Sequence, residues 1–187
     1  MLAPAELVAT YIRAKDGNRP HLLDATFETD ATLQMVVRTD SISFPSALQG
    51  REAIAETLVR RFNQTYENVY TPCIGLPPEP SAKSFSCDWL VAMSQKQGGA
   101  VRVGCGRYDW WFKGAGRKVQ SLAITIEAME VLPPNTLASV MHWVSGLPYP
   151  WCAYQAADDR PPGGIAGVRQ VLRVLLEQGT TPAAARR

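Results

Sequence analysis

Tyr11-Ile12-Arg13-Ala14-Lys15-Asp16-Gly17-Asn18, running on into Leu23-Asp24-Ala25-Thr26-Phe27-Glu28-Thr29-Asp30-Ala31-Thr32-Leu33, decides the fold together with Cys105-Gly106-Arg107-Tyr108-Asp109-Trp110-Trp111-Phe112. In the first stretch Leu7, Val8, Tyr11, Ile12 and Ala14 recur at spacings of three and four, which predicts an amphipathic helix ended by Gly17-Asn18. In the second, residues alternate between two faces, as a strand requires. Tyr108, Trp110 and Phe112 then share one side, with Arg107, Asp109 and Trp111 on the other. Because the strand period is two, a register slip of one residue decides whether Tyr108 or Asp109 points inward. The aromatic set favours Tyr108 inside.

Working outward, Pro20 predicts a second short helix that buries Leu22, Leu23 and Phe27. Leu33 to Arg38 reads as a strand, followed by a brief Ile42-Ser43-Phe44 strand stopped by Pro45. Ile54, Leu58, Val59 and Phe62 form the apolar stripe of a third helix opened by Gly50. Four β segments follow: Tyr66 to Ile74, Phe85 to Gln95, Val101 to Phe112 and Lys118 to Val131. Pro-rich, Gly98-Gly99 and Gly114-Ala115-Gly116 breaks separate them. Short glycine turns suit antiparallel neighbours, since parallel strands need long crossovers. The expectation is an α+β fold, a strongly curved antiparallel sheet wrapped round three N-terminal helices.

Phe85, Cys87, Trp89, Val91 and Met93 alternate with Ser84, Ser86, Asp88, Leu90 and Ala92, so one face of that segment is strongly apolar and the other is mixed. Partial cover on both faces is expected. After Pro133-Pro134 two helical patterns appear, one over Leu137, Val140, Met141 and Val144, the other over Ile165, Val168, Val171, Leu172, Leu175 and Leu176. The second stripe must dock, because left bare it would form a large apolar patch. Residues 1–132 therefore read as one core domain, and 133–187 as a C-terminal helical extension that is not an independent domain. The tail from Thr180 to Arg187 has little to pack and is expected to fray.

Bulk composition narrows the function classes. With 187 residues and 46% hydrophobic content, the chain can bury one core. A net charge of +2, with basic pairs scattered, provides no field for nucleic acid. No apolar run approaches the ~20 residues of a membrane helix, and Met1 to Glu6 carries no basic leader. A cytoplasmic protein without membrane association is expected. Cys73, Cys87, Cys105 and Cys152 form no Cys-x-x-Cys pair, so they read as reduced, buried thiols. His21 and His142 belong to no metal-binding spacing; neither a metal nor a cofactor is expected.

Residues 5 to 131 resemble the nuclear transport factor two-like superfamily, whose members include SnoaL-like cyclases, ketosteroid isomerase and scytalone dehydratase. The resemblance implies a cystatin-like cone, its bent sheet enclosing an apolar pocket. Tyr11, in Ala9-Thr10-Tyr11-Ile12, matches the first-helix tyrosine that donates to the substrate oxygen in the isomerase. The isomerase's base falls on Met35, which carries no ionisable group, and this argues against isomerase chemistry. Its remaining acid maps onto Tyr108, while SnoaL-like cyclases use an aspartate near Asp109. Where dehydratase-like relatives place a histidine, this chain has Tyr70-Thr71-Pro72-Cys73-Ile74-Gly75.

Tyr11, Tyr108 and Asp109 are thus the candidate catalytic residues, and Met35, Cys73, Trp89 and Trp110 the candidate ligand contacts. The partner they suggest is a small hydrophobic or aromatic molecule. Two functions are compatible with this set: a cofactor-independent lyase, isomerase or cyclase, and a non-catalytic ligand-binding or assembly module. Trp111 on the outer face suits a homodimer through the sheet.

Overall fold

The computed structural model describes residues 2–113 and 118–180. The first helix, α1 (Pro4–Asp16), buries Leu7, Val8, Tyr11 and Ile12, the periodic face read from the sequence. A single turn (Pro20–Leu22) leads into α2 (Leu23–Thr26), after which Phe27 begins strand β1 (Phe27–Val37) instead of ending the helix. Its ring is nonetheless fully buried. The strand expected at Ile42-Ser43-Phe44 is irregular, and the short partner of β1 is β2 (Ala47–Gln49). The third helix runs as α3 (Arg51–Ala55), a π-helical stretch (Glu56–Arg61) and α4 (Phe62–Thr65).

Strand β3 (Tyr66–Tyr70) stops at Thr71-Pro72, and β4 (Cys73–Ile74) resumes the path, so one expected strand is two. Proline lacks the N–H that a continuous ladder needs. The long strands β5 (Ser84–Gln95), β6 (Val101–Phe112) and β7 (Val119–Leu132) pair antiparallel in sequence order. Between β5 and β6, Gly98 and Gly99 adopt φ of +81° and +69°, values that suit glycine. Two pairings are parallel, β1 with β7 and β4 with β8 (Trp151–Cys152), so the sheet is mainly antiparallel rather than wholly so. The third helix and the strands β2 to β6 that lie between β1 and β7 in the chain supply the long connection that parallel pairing needs. The remaining elements are α5 (Leu137–Ser145), α6 (Tyr154–Asp159) and α7 (Ala166–Thr180). Both β8 and α6 escaped the sequence reading.

The order β2-β1-β7-β6-β5-β4-β8, with β3 also on β5, gives an α+β fold whose curved, unclosed sheet wraps the N-terminal helices. Over the Leu90–Ala92 and Val101–Cys105 halves of the central strands both faces are covered. Cys87, Trp89, Val91 and Met93 of β5 enter the core beneath α1 and the third helix. Leu90 and Ala92 of the same strand join Val101, Val103 and Cys105 of β6 in a second core under α5 and α7. There Val168, Val171, Leu172 and Leu175 are at most 3% exposed, which answers where the C-terminal stripe docks. Among the described residues no helix is long and apolar enough to cross a membrane. The glycine turn expected at Gly114-Ala115-Gly116 and the tail after Thr180 lie outside the described residues.

One irregularity sets which side chains face inward. The β6–β7 register shifts between Cys105 and Gly106, where Cys105 faces Ala128 and Gly106 faces Ile126. One extra β7 residue reverses the alternation beyond it, so Leu122, Ile124, Ile126 and then Met129 belong to the inner core. Gly106 makes the bend possible: a Cβ there would lie 1.9 Å from the Thr125 carbonyl oxygen and 2.6 Å from the Trp89 ring. Gly106→Ala is expected to cost at least about 3 kcal/mol, the upper part of the overpacking range, because backbone must move. Urea denaturation monitored by tryptophan fluorescence measures it, and a loss below about 1 kcal/mol contradicts this account of the bend.

Candidate functional site

The inner sheet face and the helices do not meet everywhere. Between them lies a cavity of about 50 Å³ walled by Tyr11, Met35, Trp89, Tyr108, Met93 and Met129, among others. At ~10–15 Å³ per water, that is room for roughly three to five water molecules. Three of its walls are methionines, unbranched side chains that can repack around a larger guest. Ile42 and Phe44, from the irregular segment between β1 and β2, close one side. With Phe62 they also line an outer hollow of about 260 Å³ beside Thr57, Arg61 and Tyr66. The irregular segment therefore separates cavity from surface.

Alternation along β6 places Tyr108 on the cavity wall and Asp109 outside. Asp109 pairs with the Arg107 Nε at 3.0 Å and accepts a hydrogen bond from Ser86, on the solvent side of the sheet. Asp88, at 3.8 Å from Arg107, completes that cross-strand group. Asp109 therefore cannot act as a base in the cavity. Two of the expected ligand contacts are also displaced from the lining: Trp110 is fully buried behind it, packed on Tyr11 and Phe27, and Cys73 lies in the core beside Cys87. His21 and His142 are exposed, away from the cavity wall. Among the described residues no group of three or more His, Cys, Asp and Glu side chains could hold a metal ion.

Tyr11 meets Phe27, Tyr108 and Trp110 edge-on, with centroids 5.3 to 5.9 Å apart. Its hydroxyl is buried without a partner in good hydrogen-bonding geometry among the described residues, and the group nearest to serving as one is the Tyr108 phenol, whose contact with it lowers the Tyr11 pKa against the larger effect of burial. Burial pushes both phenols well above their ordinary range, and for Tyr108 the neighbouring Tyr11 adds to the effect. Near neutral pH they are donors and not bases. The thiols are comparably inert. Cys87 is pushed up first by the hydrogen bond its thiol donates to Cys73 and then by burial, and Cys105, by burial, to about 12.

Sequence reasoning missed the polar end of the cavity. Lys15 is only 7% exposed, lies on the wall, and donates to Asp16 Oδ1 at 2.6 Å and to Thr71 Oγ1 at 2.8 Å. Its Nζ also sits 5.0 Å from the centroid of Phe62. Asp16 stays off the wall, receiving the Thr71 amide (2.7 Å), the Thr71 hydroxyl (2.9 Å) and the Tyr149 hydroxyl (3.0 Å) as well. Saturated in this way, the carboxylate is held in place. The signal in the sequence was an unusual one: a lysine on the buried helical face, one turn after Tyr11.

The raised phenols have a consequence for stability. Their folded-state pKa lies above the unfolded value of about 10, so the stability they carry is complete below that pH and lost as pH rises beyond it. Urea midpoints are expected to fall as pH rises above about 10, and to fall less steeply in Tyr11→Phe. Parallel curves for the two proteins would show that Tyr11 ionises freely.

No protein-family model matches the sequence, and neither does any curated protein. Solved structures do match in shape. A Catenulispora acidiphila protein with a ketosteroid isomerase-like fold, in complex with trimethylamine, superposes with a TM-score of 0.51 at 18% identity, over 66% of this chain and 85% of its own. A nuclear transport factor 2-like superfamily protein from Salmonella enterica gives 0.53 at 16%, over 66% and 88%. A Mycobacterium tuberculosis protein in complex with estradiol-17beta-hemisuccinate gives 0.53 at 14%, over 66% and 93%. The chain has the nuclear transport factor two-like fold.

Proposed function

We propose that this protein binds a small, largely apolar molecule in the cavity between α1 and the sheet, without a cofactor, and that Tyr11 and Tyr108 orient it. The observation that carries this reading is the buried Tyr11 hydroxyl, left without a well-placed partner on a wall that is apolar apart from Tyr108, Trp89 and the Lys15–Thr71 end. An unpaired buried polar group costs ~1–3 kcal/mol, a cost that a ligand oxygen removes. Neighbours of the same fold hold trimethylamine and an estradiol derivative, which supports the use of such a cavity for small molecules. Binding is favoured over proton-transfer chemistry because no carboxylate or imidazole stands among the described lining residues. The ligand enters past Ile42 and Phe44, and residues 133–187 serve as a brace on the back of the sheet, part of the same folding unit.

Butanone is a suitable neutral probe, compact and with one acceptor oxygen. Titrated into the protein, it is expected to shift the Trp89 indole N–H resonance, with affinity up to about tenfold lower in Tyr11→Phe and unchanged in Asp109→Asn. Tyr11→Phe should at the same time unfold at equal or higher urea near pH 7, since it deletes an unpaired hydroxyl. An unmoved Trp89 signal, or equal affinity in Tyr11→Phe, defeats the reading.

The homodimer through the sheet is proposed for the strip of outer face that α5 and α7 leave open, where Trp111 is 46% and Val36 49% exposed. Light scattering after size exclusion is expected to give twice the monomer mass, falling to the monomer in Trp111→Glu; a wild-type monomer removes the proposal.

A further inference from the structure

The polar groups around the cavity are unbalanced in a way that specifies the chemistry of the guest. Tyr11 has a buried hydroxyl and Trp89 a buried indole N–H, each without a well-placed partner among the described residues. Lys15 adds an ammonium whose hydrogen bonds run to Asp16 and Thr71, and whose remaining face is turned to the Phe62 ring and the cavity wall. No acidic side chain stands among the described lining residues, and Asp16 is occupied by Lys15, Thr71 and Tyr149. The wall thus offers donors, among them an ammonium already paired with Asp16 behind it, against an apolar background that carries no competing acceptor stronger than a hydroxyl.

Resting on the binding reading above, we propose that the ligand is a compact apolar acid, whose carboxylate is held at the Lys15 end of the cavity while its hydrocarbon part lies among Met35, Met93 and Met129. An indole N–H can only donate, and a lysine ammonium only donates. Charge-assisted hydrogen bonds are about twice as strong as neutral ones, and weak hydration by the apolar wall raises the difference further. A carboxylate therefore gains more here than a neutral carbonyl, and an ammonium ligand meets the Lys15 ammonium with only hydroxyl oxygens and ring faces on the wall to accept its protons. The small volume limits the guest, before any methionine moves, to a few heavy atoms.

Three probes of one skeleton and different charge test this: isobutyrate, isobutyramide and isobutylamine, each titrated into the full chain near pH 7 and followed at the Trp89 indole N–H. Isobutyrate is expected to bind about tenfold tighter than the amide, with the amine weakest. In Lys15→Met, which keeps the length of the buried stem, carboxylate and amide affinities should converge. Circular dichroism shows whether that variant folds, and the wild-type ranking stands as a test without it. An amide bound as tightly as the acid, or an amine bound best, overturns the acid assignment while butanone binding dependent on Tyr11 leaves the cavity reading intact. Failure of all four probes to move the Trp89 signal overturns both.

Discussion

The fold turns on the edge-to-face contact of Tyr11 with Phe27, Tyr108 and Trp110, which ties α1 to the bent sheet at ring separations of 5.3 to 5.9 Å. Aromatic pairs in this geometry gain ~0.5–1.5 kcal/mol beyond their buried area. The cluster is also a spacer. Large, stiff rings hold the helix off the sheet just where smaller methionines line the rest of the wall, and the gap between them is the cavity. The same side chain that anchors the helix therefore carries the buried hydroxyl without a well-placed partner, on the cavity wall.

A second constraint lies on the back of the sheet. Because β5 and β6 present apolar residues on both faces, the strands cannot rest with one side in water, and α5 and α7 cover Leu90, Val101, Val103 and Cys105. This two-sided burial stiffens the wall that carries Trp89 and Tyr108. The polar half of that outer face, around Arg107 and Asp109, needs no such cover and is built as a cross-strand ion group. The chemistry of one strand thus separates three jobs: cavity wall, brace contact and solvent face.

Much of this was legible in the chain. The alternation in β6 put Tyr108 inward and Asp109 outward, since a strand offers only two directions and three aromatic rings occupy one of them. Helical spacing in α1 and the C-terminal stripe had the same clarity. Other parts were not legible for identifiable reasons. Trp110 reads as a wall residue by alternation, yet Tyr11 lies between it and the open space, which depends on how α1 is set down. Cys73 follows a proline break that re-routes the strand. Met35 and Trp89 do stand on the lining.

What the amino-acid order determined by itself is local: periodicity selects helix or strand, glycine and proline end them, and parity assigns each strand residue a face. What the tertiary structure decided is which distant residues meet. Lys15 and Thr71 are separated by 56 positions and bond directly, with Asp16 between them. The bulge opposite Cys105 and Gly106 reverses the parity of β7, and the parallel contact of β1 with β7 joins the chain's early and late strands. These outcomes depend on packing between elements, a sum over many partners at once, and no window of sequence contains it.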